Sequence, residues 1–226
     1  MGTIDIINWA EEYGYMNEIF EMMVISALDI IRTTNIPVTV NISPSQLIFN
    51  GDMIESFLAE IIHDNGLSPY SINIEVTESV PILDQELFID VVGRIKALGI
   101  RIYLDDFGTG YAFFSTLSIG TFDAIKIDRK LVREIHEFQS TQRLLSSIIS
   151  YASATGIMII AEGVETNAEL EILKALGMRY IQGFYFSKPL KKLQVLSYLS
   201  VEKSQNDNVV SIKTLRALIL FELKTT

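Results

Sequence analysis

The chain has 226 residues, 28 Asp and Glu against 18 Lys and Arg, no cysteine and two histidines, His63 and His136. Without cysteine there are no disulfides or thiolate metal sites, and two histidines argue against a His-rich zinc centre, so oxygen donors for magnesium, manganese or calcium remain. A formal charge of −10 argues against a nucleic-acid polymer as partner, because such affinity comes from many Lys and Arg.

An anionic small molecule can still bind where metals offset local carboxylates. Hydrophobic residues make up 49% of the chain, enough for one large core. No uninterrupted apolar run approaches the roughly 18 residues of a membrane span. Met1-Gly2-Thr3-Ile4-Asp5 lacks the basic-then-apolar layout of a signal peptide, so the expectation is a cytoplasmic chain without membrane insertion.

Residues 4–32 carry apolar side chains at helical spacing and read as one or two helices, ending at Thr33-Thr34-Asn35. The β-branched run Ile36 to Ile42 reads as a buried strand. The alternation then repeats: helix 52–63, strand Ser71 to Val76, helix 84–98 stopped by Gly99, strand Ile100 to Leu104 and a short helical connection 113–119. Strand Ala124 to Ile127, helix 130–155, strand Ile157 to Ala161, helix 167–176, strand Tyr180 to Tyr185 and helix 191–200 follow. Six strands alternating with helices predict a parallel sheet.

Each strand ends at a polar residue: Asn41, Glu75, Asp105-Asp106, Lys126, Glu162 and Gln182. In a parallel barrel all such ends gather at one mouth, whereas an open doubly wound sheet concentrates its chemistry at one switch point beside a Gly-rich phosphate loop. No GxGxxG or GxxxxGK[ST] occurs, so the predicted fold is α/β, a TIM-like (β/α) barrel forming a single domain. Singly, a carboxylate past a strand also serves as a helix N-cap or turn residue. Lys126 is harder to explain that way, since it interrupts an apolar strand and a buried ammonium needs a carboxylate partner. Asp105-Asp106 likewise repel each other unless a cation intervenes.

These residues resemble the EAL domains of bacterial cyclic-di-GMP phosphodiesterases, signalling hydrolases. The resemblance is carried by Val40-Asn41-Ile42-Ser43, Glu75-Val76-Thr77-Glu78-Ser79, Asp105-Asp106-Phe107-Gly108-Thr109-Gly110-Tyr111, Lys126-Ile127-Asp128-Arg129, Ala161-Glu162-Gly163-Val164-Glu165-Thr166 and Gln182-Gly183-Phe184-Tyr185-Phe186-Ser187-Lys188-Pro189, in the family's order. It implies two divalent metal ions, Mg or Mn, flanking an attacking water and neutralising a phosphodiester oxygen of cyclic-di-GMP, with linear pGpG as product. By the match, Asn41, Glu75 and Asp105 would hold one metal and Asp105 with Asp106 would reach the second. Lys126 would orient or deprotonate the water, Glu162 and Gln182 would support the water network, Glu78 would hold the loop after Asp106, and Asp128 and Gln182 would contact substrate. The family also suggests a homodimer through the segment following Asp106.

The family's eponymous Glu-Ala-Leu is missing before residue 2, so the match covers residues 1–200 from two strands late. After a polar linker, 201–208, residues 209–226 resemble the missing opening hairpin, with Phe221-Glu222-Leu223 where the motif glutamate belongs. On that reading the barrel is circularly permuted and Glu222 is a metal ligand. The other reading is an unrelated apolar tail, helical or paired with another chain. Two functions follow: a competent phosphodiesterase, or a degenerate module that binds cyclic-di-GMP or a protein partner without hydrolysis.

Overall fold

The computed structural model describes residues 3–68, 70–77, 82–108, 122–190 and 194–195. In chain order these form α1 (Thr3–Tyr13), α2 (Met16–Thr34), β1 (Val38–Ile42), α3 (Pro44–Asp64), β2 (Ile72–Thr77), α4 (Gln85–Ala97) and β3 (Arg101–Phe107). After them come β4 (Ala124–Ile127), α5 (Arg129–Val132), α6 (Gln139–Thr155), β5 (Met158–Ala161), α7 (Asn167–Ala175) and β6 (Tyr180–Ile181). The expected connection at 113–119, the linker 201–208, the hairpin 209–226, Glu78 and Glu222 lie outside the described residues.

The six strands form one parallel sheet in the order β1-β2-β3-β4-β5-β6, the arrangement expected of consecutive β/α units. Side chains alternate between its faces. Val38, Val40, Ile42, Ile72, Ile74, Val76, Ile102, Leu104, Ile125 and Ile127 all join the large core shared with the helices. On the opposite face Tyr103, Ala124 and Ile160 form a separate small cluster, with Met158 and Tyr180 packed against it. Glu75, Asp105 and Lys126 share that face by strand periodicity and are buried there. The sheet thus divides an apolar outer layer from an inner layer that turns polar towards the carboxyl ends of the strands.

Several elements depart from the sequence-based expectation. The helix expected at 52–63 begins at Pro44, because Ser43 caps it: its hydroxyl accepts from Gln46 N (3.2 Å) while Gln46 Oε1 accepts from Ser43 N (3.1 Å). Asn50 breaks the helical dihedrals within it, and a Cβ on neighbouring Gly51 would meet Val91 Cγ2 at 2.6 Å, so this glycine lets α3 approach α4 closely. The helix expected at 130–155 is interrupted over residues 133–138, where Glu134 adopts φ +56° and Val132 and Ile135 turn into the core. The last strand stops at Ile181 rather than Tyr185, because Gly183 seats its backbone on that of Val164; a Cβ there would lie 2.1 Å from Val164 O.

Glu169 explains how the interruption after β4 is held. Its Oε1 accepts from Glu134 N (3.1 Å), and its Oε2 accepts from Glu165 N (2.9 Å) and Thr166 N (3.0 Å). Thr166 completes a capping box at the start of α7. One buried carboxylate therefore ties the connection after β4 to the one after β5. Burial alone would push the Glu169 carboxyl up, but the backbone N–H groups of Glu165, Glu134 and Thr166 and the Thr166 hydroxyl hold it below the ordinary range. A carboxyl depressed in the folded state contributes stability above its unfolded value of about 4.3, and loses it as pH falls through the folded value. Glu169→Gln is therefore expected to lower stability by about 1.5–3 kcal/mol at neutral pH, because an amide NH2 replaces an acceptor. Its denaturation midpoint in urea should also fall less steeply than wild type as pH drops below about 5. Parallel curves for the two proteins would contradict this role.

Candidate active site

The inner face of β2, β3 and β4 converges on Lys126. Its ammonium is buried and lies 2.9 Å from Glu75 Oε1 on β2 and 2.8 Å from Asp105 Oδ1 on β3, and it pairs with Glu162 Oε1 just beyond β5. Lysine fits this position because its flexible stem crosses apolar surroundings and its three N–H donors can meet three acceptors. A lone buried ammonium would be expelled or neutralised, so the carboxylates are the reason strand β4 tolerates it.

Asp105 and Asp106 are successive residues of one strand and would ordinarily face opposite sides of the sheet. The register between β3 and β4 shifts between Leu104 and Phe107, and Asp106 takes φ +55° at this irregularity. A bulge of this kind re-aims side chains. Oxygens of Asp105, Asp106 and Glu162 consequently lie within 4.8 Å of one another. Three carboxylates then meet one ammonium, with Asp106 beside two of them, an excess of negative charge in a poorly solvated mouth.

The effect on Glu162 is pronounced. Burial first, then the charges of Asp105, Glu75, Asp106 and Asp128, push its carboxyl up to about 10 despite the ammonium beside it. This donor set fits hard divalent cations: all ligands are oxygens, they converge, and the local charge favours added positive charge. Asp105, Asp106 and Glu162 are the residues that could hold such an ion directly, with Glu75 linked to them through Lys126.

The remaining expected residues are placed as follows. Asn41 pairs with Glu75 in the β1–β2 register and is exposed at the sheet's carboxyl end. Asp128 caps α5, its Oδ1 accepting from Lys130 N at 2.9 Å. Gln182 is half-buried; its N donates to Ala161 O (2.8 Å) and its carbonyl accepts from Val164 N (3.2 Å). These bonds and the Gly183 contact fuse the loops after β5 and β6. Glu169 was missing from the expected set, although the Thr166-x-x-Glu169 capping signature stands in the sequence.

The comparisons with known proteins agree with this geometry. The model of the EAL domain family matches residues 2–189. PdeR of Escherichia coli (strain K12), a cyclic di-GMP phosphodiesterase, is 35% identical over 195 residues, which is 83% of this chain and 29% of PdeR. The chain spans less than a third of the length of the first curated relatives it matches. Among solved structures, the PaMucR phosphodiesterase in complex with c-di-GMP is 28% identical with a TM-score of 0.76, covering 84% of this chain and 85% of that one. Klebsiella pneumoniae BlrP1, in a complex with manganese and cy-diGMP, is 33% identical with a TM-score of 0.65, covering 70% of this chain and 41% of that one. With the six-stranded sheet, the carboxylate mouth and the family match in agreement, this chain belongs to the EAL domain family and has its TIM-like α/β fold.

Proposed function

We propose that this domain hydrolyses cyclic-di-GMP to linear pGpG with the help of divalent metal ions, Mg or Mn. The observation that carries the reading is the convergence of Asp105, Asp106 and Glu162 beside Lys126 in a mouth with excess negative charge. PdeR's activity and the manganese and c-di-GMP complexes of similar structures support it.

In this mechanism Asp105, Asp106 and Glu162 would hold the ions, joined by Asn41 and Glu75 from the first two strands. When bound, divalent ions offset the carboxylates, acidify the attacking water and polarise the phosphodiester. Lys126 holds Glu75, Asp105 and Glu162 in one arrangement and supplies a donor at the mouth that can orient the water or take part in proton transfer. Gln182 and Asp128 flank the mouth as substrate contacts. Burial and the neighbouring carboxylates raise the Glu162 carboxyl, so added positive charge at the mouth would favour its ionised form.

Two variants test these roles. Asp105→Asn removes charge with little change in volume, and is expected to lower manganese-dependent hydrolysis of cyclic-di-GMP by more than the roughly 10–100-fold that even an outer-shell change costs. Chromatographic detection of pGpG at an undiminished rate in this variant would refute the metal reading.

Lys126→Ala should separate structure from chemistry. Removing the ammonium leaves buried carboxylates facing one another, a loss of about 3–5 kcal/mol in the metal-free protein. Manganese should restore part of that stability, read as a rise in Tm. Turnover should stay about 10²–10⁴-fold down, with a smaller change in KM. Equal losses in affinity and rate would make Lys126 a phosphate contact instead.

A further inference from the structure

The amino end of the chain carries an aromatic surface that the proposed chemistry does not use. Trp9 and Tyr13 stand one helical turn apart on α1, and their rings stack at 5.2 Å. Gly14, at φ +80°, then ends the helix, and Tyr15 N donates back to Ala10 O at 2.8 Å. This six-to-one closure folds the chain over the last turn, as glycine in the left-handed region permits. It lays the Tyr15 ring on Trp9, with centroids 5.1 Å apart and planes within 4°. All three rings remain well exposed, at 44%, 59% and 46% for Trp9, Tyr13 and Tyr15.

Charge along this stretch of the sequence has one sign. Through residue 31 the sequence contains Asp5, Glu11, Glu12, Glu18, Glu21 and Asp29 and no Lys or Arg; the first cation is Arg32. Glu11, Glu12 and Glu18 are exposed, the first two between Trp9 and Tyr13 in the chain. Aromatic faces attract cations, Arg above all, and the described cation–π pair lies elsewhere, with Arg101 4.8 Å from the Tyr70 ring centre. Because the three rings are already stacked, little side-chain freedom is lost when a partner covers them.

We infer that the Trp9–Tyr13–Tyr15 shelf, with the exposed Glu12 and Glu18 close to it in sequence, is a docking surface for an arginine-bearing basic segment of a partner polypeptide. Guanidinium planes stack on the rings while the carboxylates take the remaining charge. A second copy of this chain is the poorer occupant, since it would bring carboxylates against carboxylates.

Trp9 is the single tryptophan of the chain, so its emission reports this surface alone. Titration of the full chain with hexa-arginine amide at low ionic strength is expected to give a saturable change in Trp9 emission. The Kd should rise at least about tenfold between about 20 and about 500 mM NaCl, while hexa-glutamate amide leaves the emission unchanged. Replacing both tyrosines (Tyr13→Ser with Tyr15→Ser) should weaken hexa-arginine binding about 5- to 30-fold, the loss of two exposed cation–π contacts. Glu12→Gln with Glu18→Gln should weaken it as well and flatten the salt dependence. These side chains are exposed, and unchanged circular dichroism would verify the fold of each variant. The inference is overturned by no saturable change with hexa-arginine, by wild-type affinity in the tyrosine double variant, or by an emission shift with protein concentration alone, which would place a second copy on the shelf.

Discussion

A buried ammonium surrounded by carboxylates from separate elements organises the inner half of this barrel. Lys126 on β4 meets Glu75 from β2, Asp105 from β3 and Glu162 from beyond β5, so one side chain spans four consecutive strands of the sheet. Such a cluster costs desolvation free energy that an apolar core would not, and its net stabilising value is small. What it supplies is definition: each carboxylate has one geometry in which it satisfies the shared donor, and departure leaves a charge unpaired in a poorly solvated place. The arrangement also leaves negative charge in excess. A protein interior resolves such an excess by protonation or by cations, and the same oxygens serve both outcomes.

Holding these groups falls to backbone features outside the charged cluster. The irregular register of β3 turns two adjacent aspartates towards one mouth, which a regular strand cannot do. The loops after β5 and β6 are locked by the Gln182–Val164 bond and by a glycine whose lost Cβ would strike Val164. Glu169 fastens the connection after β4 to the same assembly through three backbone N–H groups. Side chains at the mouth are thus set by backbone contacts and hydrogen bonds made outside the charged cluster, support of the kind that lets a site keep its geometry.

The strands and the polar residues at their ends were legible in the sequence because β-branched runs and their abrupt polar stops are local signals. Lys126 was legible for the same reason, as a charge within an apolar strand. The break after β4 was not. Residues 133–138, Arg133-Glu134-Ile135-His136-Glu137-Phe138, contain neither glycine nor proline, and the left-handed turn at Glu134 is maintained by Glu169, 35 residues on. The extra length of β3 was hidden likewise: aspartates read as the end of a strand, while tertiary pairing with β4 carries the strand through them to Phe107. The short final strand depends on Gly183 meeting Val164, a contact with no sequence signature beyond the glycine itself. The Ser43 and Thr166 capping boxes were present in the letters, and the first would have placed the start of α3 correctly.

The order of strands in the sheet repeats their order in the chain, with every strand paired to the one synthesised before it. Pairing partners therefore stand tens of residues apart rather than a domain's length apart, which keeps the entropy of each loop closure modest. A growing chain emerging from the ribosome can add one β/α unit at a time to the edge left by its predecessor, without waiting for distant sequence. Lys126 enters only after Glu75 and Asp105 have been made, so the acidic residues of the inner face acquire their counter-charge partway through assembly. Until then, water at the unfinished edge is their solvent.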